Sequence, residues 1–131
     1  MLRRDFIKTF AKLIGLAALP IAARAKEPAR RRFLIQRCPV AGFQHHEGEN
    51  LWRYLCTGDR LELVRESTNP FDANAIRIDW IGRKLGYIPR MQNQATARLL
   101  DEGKWLEARI SGLEKHGNPW RRVEVEVWLV V

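Results

Sequence analysis

A short polar loop holds the side chains of this sequence with the clearest chemical potential. It reads Asn69-Pro70-Phe71-Asp72-Ala73-Asn74. Asn and Asp close tight turns through hydrogen bonds to their own backbone, and Pro presets φ. Phe71 has no such role, because an apolar ring does not make a turn. Its ring either fills the core from the loop or stands exposed as a contact surface, and composition alone leaves both alternatives open.

Catalytic and metal-binding patterns are weak. The sequence has no nucleophile elbow, no phosphate-binding glycine loop and no H-E-x-x-H motif. Asp72 with His45 or His46 would suit a small metal-dependent hydrolase, but the two histidines have no acidic or thiol partner at helical spacing. We therefore predict a non-enzymatic protein with no cofactor and no metal.

The two cysteines, Cys38 and Cys56, do not form a CxxC motif, and the three histidines do not complete a zinc-finger spacing. A disulfide between Cys38 and Cys56 is compatible with an oxidising compartment. Two buried free thiols are the alternative that we favour, because sequence gives no distance between the sulfur atoms.

The N-terminal 25 residues differ from the rest of the chain. They supply +4 of the formal charge of +8 and contain the apolar run Leu13–Ala23, which ends near a small-residue cleavage pattern. The motif Arg3-Arg4-Asp5-Phe6-Ile7-Lys8 resembles a bacterial twin-arginine export signal. This predicts a signal peptide over 1–25, a periplasmic protein and no stable membrane insertion after cleavage. An amphipathic or buried N-terminal helix is the alternative, and the protein would then be cytoplasmic.

Residues 26–32 form a basic segment that ends in three arginines. Such a run can lie along a phosphate backbone. We favour a solvated linker, followed by one domain over residues 33–131.

Alternating apolar and polar residues predict short strands in that domain. The predicted strands are 33–40, 61–66, 76–80, 85–88, 105–113 and 123–131. One main helix is predicted to begin at Pro89 and Arg90, with an apolar stripe of Met91, Ala95, Leu99 and Leu100 and a cap at Gly103. A short helical turn over Asn50–Leu55 has Asn50 as its predicted N-cap. Six strands and one helix favour a mainly β fold, a small and partly open β-barrel.

Several stretches together resemble the HIRAN domain family. A strand ending in Arg65-Glu66 is followed by the loop Asn69–Ile76, which matches N-P-[YF]-D-x-N-A-I. Gly86-Tyr87-Ile88-Pro89 matches the G-Y-[IL]-P turn before a helix, and Val40-Ala41-Gly42 matches an upstream V-x-G. The resemblance covers about residues 33 to 130.

The resemblance implies an OB-like barrel that, in fork-remodelling helicases, captures the free 3′ end of single-stranded DNA. Carried over, Phe71 stacks on the terminal base and Asp72 accepts a hydrogen bond from the 3′-hydroxyl. Asn69 holds the loop and Arg90 faces a backbone phosphate. Gln44 and His45 occupy the places of a basic residue and a base-sandwiching aromatic, and His can still stack. The predicted nucleic-acid-binding set is completed by Phe43 and Tyr87.

Two functional hypotheses follow. The first is a non-catalytic module that binds the 3′ end of single-stranded DNA. The alternative is an exported interaction module that keeps the barrel but binds a protein or another envelope ligand.

Overall fold

Six antiparallel strands form one sheet in the part of the chain that the structure, a computed structural model, describes: residues 29–131. The strands are β1 (Arg32–Pro39), β2 (Arg60–Arg65), β3 (Ile76–Trp80), β4 (Arg83–Tyr87), β5 (Leu106–Leu113) and β6 (Val123–Val130). Their order across the sheet is β1-β6-β5-β2-β3-β4. The predicted signal peptide, 1–25, and linker residues 26–28 lie outside the described residues.

The strands follow the alternation of the sequence. In β6, for example, Val123, Val125 and Val127 are buried while Glu124 is exposed. This period of two buries one face of each strand against a core filled mainly by Val, Ile and Leu. The prediction of a mainly β fold is therefore confirmed.

The sheet curls until its two outer strands almost meet. Ala41, two residues beyond β1, forms an isolated bridge with Tyr87 at the end of β4. Their backbones exchange two hydrogen bonds of 2.8 and 2.9 Å. A Cβ at Gly86 would collide with the carbonyl oxygen of Ala41 and lie 2.6 Å from Val40 Cγ1, so this close approach requires glycine. One bridge leaves the barrel partly open, as predicted.

Within residues 29–131, two short α-helices lie outside the sheet: α1 (Gly48–Leu51) and α2 (Gln94–Asp101). The prediction that Asn50 caps the first helical turn is wrong, because Glu47 occupies the N-cap position. Packing sets this start. Phe43 is buried against Gly48, where a Cβ would lie 2.5 Å from its ring.

The predicted apolar stripe of the main helix is confirmed at Leu100, which packs against the core, and is wrong at Met91 and Ala95. Met91 is 94% exposed and Ala95 is exposed, whereas Asn93, Thr96 and Ala97 are buried. A 3₁₀ turn at Arg90–Gln92 delays α2 and changes which residues face the core. Polar contacts hold that face, since Thr96 Oγ1 donates to Gln36 Oε1 at 2.6 Å. The predicted glycine cap is confirmed, with Gly103 at φ 76°.

The two ends of the folded unit, Arg31–Val131, lie side by side. Arg31 and Val131 exchange two backbone hydrogen bonds of 2.9 Å each. Arg32 begins β1, and its guanidinium pairs with the Glu107 carboxylate at 3.0 Å. These two arginines, predicted as linker, are therefore held on the sheet.

Both cysteines are free thiols. Cys38 is buried, and burial, aided by the negative charge of Glu124, raises the pKa of its thiol to about 12. Cys56 is exposed, contrary to the prediction that both thiols are buried, because it lies in a surface turn closed by Asp59. Among residues 29–131, no helix is long and apolar enough to cross a membrane.

Candidate nucleic-acid interface

The loop between β2 and β3 is built by its own side chains. Asn69 Oδ1 accepts hydrogen bonds from the backbone N–H groups of Phe71 (2.9 Å) and Asp72 (3.2 Å). Asp72 Oδ1 accepts from the N–H of Asn74 at 2.9 Å. The loop base is closed by a 2.9 Å bond from the Glu66 N–H to the Ala75 carbonyl. The side chain of Phe71 takes no part in these Asx-type turns.

Phe71 is 83% exposed. The alternative that its ring plugs the core is therefore wrong. A ring that remains in water at this degree of exposure contributes little to packing. Its surface is available to a ligand.

Asp72 is held between the loop and the start of α2. Its Oδ2 atom accepts a 2.7 Å hydrogen bond from Nδ2 of Asn93, which is itself buried. Each carboxylate oxygen has two lone pairs, so a carboxylate with one protein donor on each oxygen can accept further donors. The geometry therefore fixes the carboxylate while leaving it able to bind a ligand hydroxyl.

A pocket of about 450 Å³ lies beside this loop. We call two parts of its lining walls: the loop wall consists of Asn69, Phe71 and Asp72, and the β4 wall consists of His46, Lys84 and Tyr87. Arg90, from the turn before α2, also lines the pocket. The structure thus brings five predicted residues together, namely Asn69, Phe71, Asp72, Tyr87 and Arg90.

The remaining three predicted residues lie elsewhere. Phe43 is fully buried and packs edge-on against Trp52, with ring centroids 6.1 Å apart, so its predicted contact with nucleic acid is wrong. The backbone turns at Gly42, where φ is 73°, and directs Phe43 into the core. Gln44 and His45 are exposed and contact each other, but they do not line the pocket.

His46 and Lys84 also line the pocket, although neither belongs to the nucleic-acid-binding set predicted from the sequence. Strand alternation would place Lys84 and Tyr87, three residues apart, on opposite faces. The β3–β4 register shifts between Ile78 and Asp79, so the extra residue in β4 restores both side chains to one side. The sequence offers no signal for such a bulge.

A hydrogen-bonded chain organises the β4 wall. Lys84 Nζ donates to Tyr87 Oη at 2.8 Å, and Tyr87 Oη donates to Glu66 Oε1 at 2.8 Å. Asn69 Nδ2 donates to the same Glu66 oxygen at 3.1 Å. Glu66 therefore joins the loop wall to the β4 wall.

Glu66 is held in its ionised form. Burial alone would raise its pKa, but hydrogen bonds from Tyr87 and Asn69 and the charges of Lys84 and Arg77 outweigh that effect. The net result is a pKa below the ordinary value of a glutamate. The acid thus acts as a fixed negative anchor for its neighbours.

His46 stacks edge-on near Tyr87, with ring centroids 5.8 Å apart. Burial lowers the pKa of His46, and the positive charges of Lys84 and His45 lower it further, against a smaller opposing effect of Glu66. An imidazole with a pKa below its ordinary value is neutral at pH 7. It can accept a proton when a negative group enters the pocket.

The cations that line the pocket differ from neighbouring arginines in their ion pairing. Arg77 is paired with Asp79 at 2.8 Å, and Arg83 with Glu47 at 2.5 Å. Within residues 29–131, by contrast, no carboxylate lies within salt-bridge distance of Lys84 or Arg90. The same part of the chain contains no cluster of three His, Cys, Asp or Glu suited to a metal ion.

Fold and site define a class of protein: a small, partly open β-barrel whose surface pocket combines an exposed aromatic ring, a fixed carboxylate and unpaired cations. The HIRAN domain model matches residues 34–131, and the chain belongs to the HIRAN domain family. No curated protein matches the chain.

Two solved structures resemble it. A crystal structure of a protein from Lactobacillus plantarum has a TM-score of 0.67 and 29% identity, covering 78% of this chain and 98% of that one. The crystal structure of the HIRAN domain of human HLTF has a TM-score of 0.59 and 19% identity, covering 76% of this chain and 78% of that one. The likeness to the human domain shows the fold alone.

Proposed function

We propose that this chain is a non-catalytic nucleic-acid-binding module that holds the free 3′ end of a DNA single strand in the pocket. Membership of the HIRAN domain family supports a nucleic-acid partner. The observation that carries the proposal is the pairing of an 83% exposed Phe71 with the fixed carboxylate of Asp72 on one loop.

Each loop residue has a distinct task in this proposal. The Phe71 ring stacks on the terminal base, because every base has an apolar face that an aromatic side chain can cover. Asp72 accepts a hydrogen bond from the terminal 3′-hydroxyl. An internal nucleotide offers a phosphodiester at that position, and the carboxylate repels it. The pair therefore selects an end over an internal segment.

Arg90 neutralises a backbone phosphate of the bound strand. Its guanidinium has no ion-pair partner among the described residues, so binding does not require it to break an internal contact. Binding that neutralises phosphates releases counterions and weakens as salt rises. Affinity is therefore expected to fall with ionic strength.

The decisive experiment compares two oligonucleotides of the same sequence that differ only in the chemical group at the 3′ end. The full-length chain is titrated into an oligodeoxythymidylate of about ten nucleotides, labelled at its 5′ end, with either a 3′-hydroxyl or a 3′-phosphate. A hydrogen bond to a charged group contributes about 1.5–3 kcal/mol, so the free hydroxyl is expected to bind about 10- to 150-fold more tightly.

Asp72→Asn is the matched variant, since it keeps the shape of the side chain and removes its charge. It is expected to bring the affinities of the two oligonucleotides close together. Equal affinity of the unmodified chain for the 3′-hydroxyl and the 3′-phosphate oligonucleotides would contradict the role assigned to Asp72. No binding of either oligonucleotide would refute the proposed function as a whole.

A further inference from the structure

We propose that Lys84 and His46 of the β4 wall bind a second backbone phosphate of the same strand, separate from the phosphate at Arg90. The inference rests on the proposed function and extends it from the terminal nucleotide to the nucleotide before it. It assigns a binding role to two residues that the family motifs do not contain.

Lys84 is held in position without a direct ion pair among residues 29–131. Its ammonium group lies 4.5 Å from the centroid of the Tyr87 ring and donates to the Tyr87 hydroxyl at 2.8 Å. An ammonium has three donors, and within residues 29–131 this contact is its one hydrogen bond to a side chain. Two donors remain for a ligand on the pocket side.

The contrast with Arg83, the preceding residue on β4, gives this arrangement meaning. Arg83 places two of its nitrogens on the Glu47 carboxylate, which closes an internal ion pair. Lys84 instead donates to the hydroxyl of Tyr87, and that hydroxyl donates its own hydrogen bond to Glu66. The hydroxyl fixes the position of the ammonium, and no carboxylate among residues 29–131 forms a direct ion pair with it, so a phosphate is a natural partner for its charge.

His46 adds an imidazole that can become protonated when a phosphate binds. Its ring lines the same pocket and packs against Tyr87, and its pKa is lowered by burial and by Lys84. A bound phosphate offsets the Lys84 charge and favours the imidazolium form. Binding therefore takes up a proton, and affinity rises as pH falls.

The other charged or titratable groups that act on His46 or line the same pocket are Lys84, His45, Glu66, Asp72, Arg90 and the Tyr87 hydroxyl. Among the residue types in this group, histidine is the one whose side chain ordinarily titrates between about pH 6 and about pH 8. His116 lies in the loop between β5 and β6 and outside the pocket lining, which makes it the control.

The first arm of the experiment measures salt dependence. Binding of the full-length chain to the 3′-hydroxyl oligonucleotide is followed over a series of salt concentrations. The plot of log K against log salt has a negative slope, and Lys84→Gln is expected to make it shallower by about 0.7, the value for one single-strand phosphate contact. Lys84→Arg is expected to restore the slope.

Lys104→Gln is the matched control, because it removes the same charge from an exposed position after α2. It is expected to leave the slope within error of the unmodified chain. Equal slopes for Lys84→Gln and Lys104→Gln would overturn the assignment of Lys84. Thermal unfolding of each variant verifies that its fold is retained.

The second arm measures pH dependence between about pH 6 and about pH 8. The unmodified chain and His116→Gln are expected to bind more tightly as pH falls, whereas His46→Gln is expected to lose most of that change. Equal pH profiles for the two histidine variants would overturn the role of His46.

The two proposals fail differently. If the unmodified chain prefers the 3′-hydroxyl end while Lys84→Gln and His46→Gln behave like their controls, the second phosphate contact is wrong and the proposed function stands. If the unmodified chain binds neither oligonucleotide, both proposals are wrong.

Discussion

The two walls of the pocket are stabilised in different ways. In the loop wall, Asn69 and Asp72 bond to backbone groups two or three residues further along the chain. In the β4 wall, His46 and Tyr87 are more than 40 residues apart and are brought together by the Ala41–Tyr87 bridge. Local hydrogen bonds build one wall, and the closure of the barrel builds the other.

This difference has a consequence for mutation. A change in the loop wall is expected to affect ligand binding more than folding, since its functional ring is exposed. A change beneath the β4 wall is expected to affect folding first, because the segment that carries His46 is anchored by Phe43 in the core. Phe43 and Phe71 were both predicted from the sequence as binding residues, but Phe43 is buried in the core and Phe71 is exposed beside the pocket.

The largest expected effect is on stability, from Phe43→Ala. Removing a fully buried phenylalanine typically costs about 3–5 kcal/mol of unfolding free energy, through lost burial and the cavity that remains. Chemical denaturation of the variant and the unmodified chain measures this difference. Phe33→Ala, at a half-exposed position on β1, serves as the control and should cost much less. Similar losses in both variants would show that Phe43 does not anchor its segment.

Phe71→Ala should invert that pattern. Base–aromatic stacking is worth about 1–3 kcal/mol, so affinity for the 3′-hydroxyl oligonucleotide should fall about 5- to 150-fold. The free energy of unfolding should change by less than about 0.5 kcal/mol, as for most exposed positions. Phe33→Ala again provides the matched loss of one ring, now away from the pocket. An equal loss of affinity in both variants would contradict a specific stacking role for Phe71.

The smallest expected effect concerns Glu66, the residue that joins the two walls. Glu66→Gln removes the charge that pairs with Arg77 at 3.3 Å and should lower stability at pH 7 by about 1 kcal/mol or less. Because the folded-state pKa of Glu66 lies below its unfolded value, its carboxylate stabilises the fold above about pH 4.3. That contribution disappears as pH falls through the folded-state pKa.

Unfolding curves of Glu66→Gln and the unmodified chain, recorded from pH 7 down to about pH 3, test this coupling. The stability gap should be present at neutral pH and shrink in acid. A gap that stays constant across the range would show that the charge of Glu66 does not link the walls.

Much of the fold was predictable from the sequence because it depends on local patterns. Alternation located all six strands of the described residues to within a few positions, and the Asn-Pro-Phe-Asp loop was found through its turn chemistry. Met91 and Ala95 were wrongly predicted to face the core, because the 3₁₀ turn at Arg90–Gln92 and the buried amide of Asn93 change which residues face inward.

The candidate site divides along the same line. Asn69, Phe71 and Asp72 were predicted because neighbours in sequence position them. His46 and Lys84 were missed because a bulge in β4 and the turn at Gly42 decide which side chains face the pocket. Both features arise from pairing between distant segments, which a single sequence does not reveal.

The adjacent ends of the folded unit have a mechanical consequence. Arg31 and Val131 are bonded to each other at the opposite end of β1 from Ala41, on the order of 25 Å along the strand from the pocket. Force applied between the two ends would open the β1–β6 pair one rung at a time, because antiparallel hydrogen bonds run across the strands.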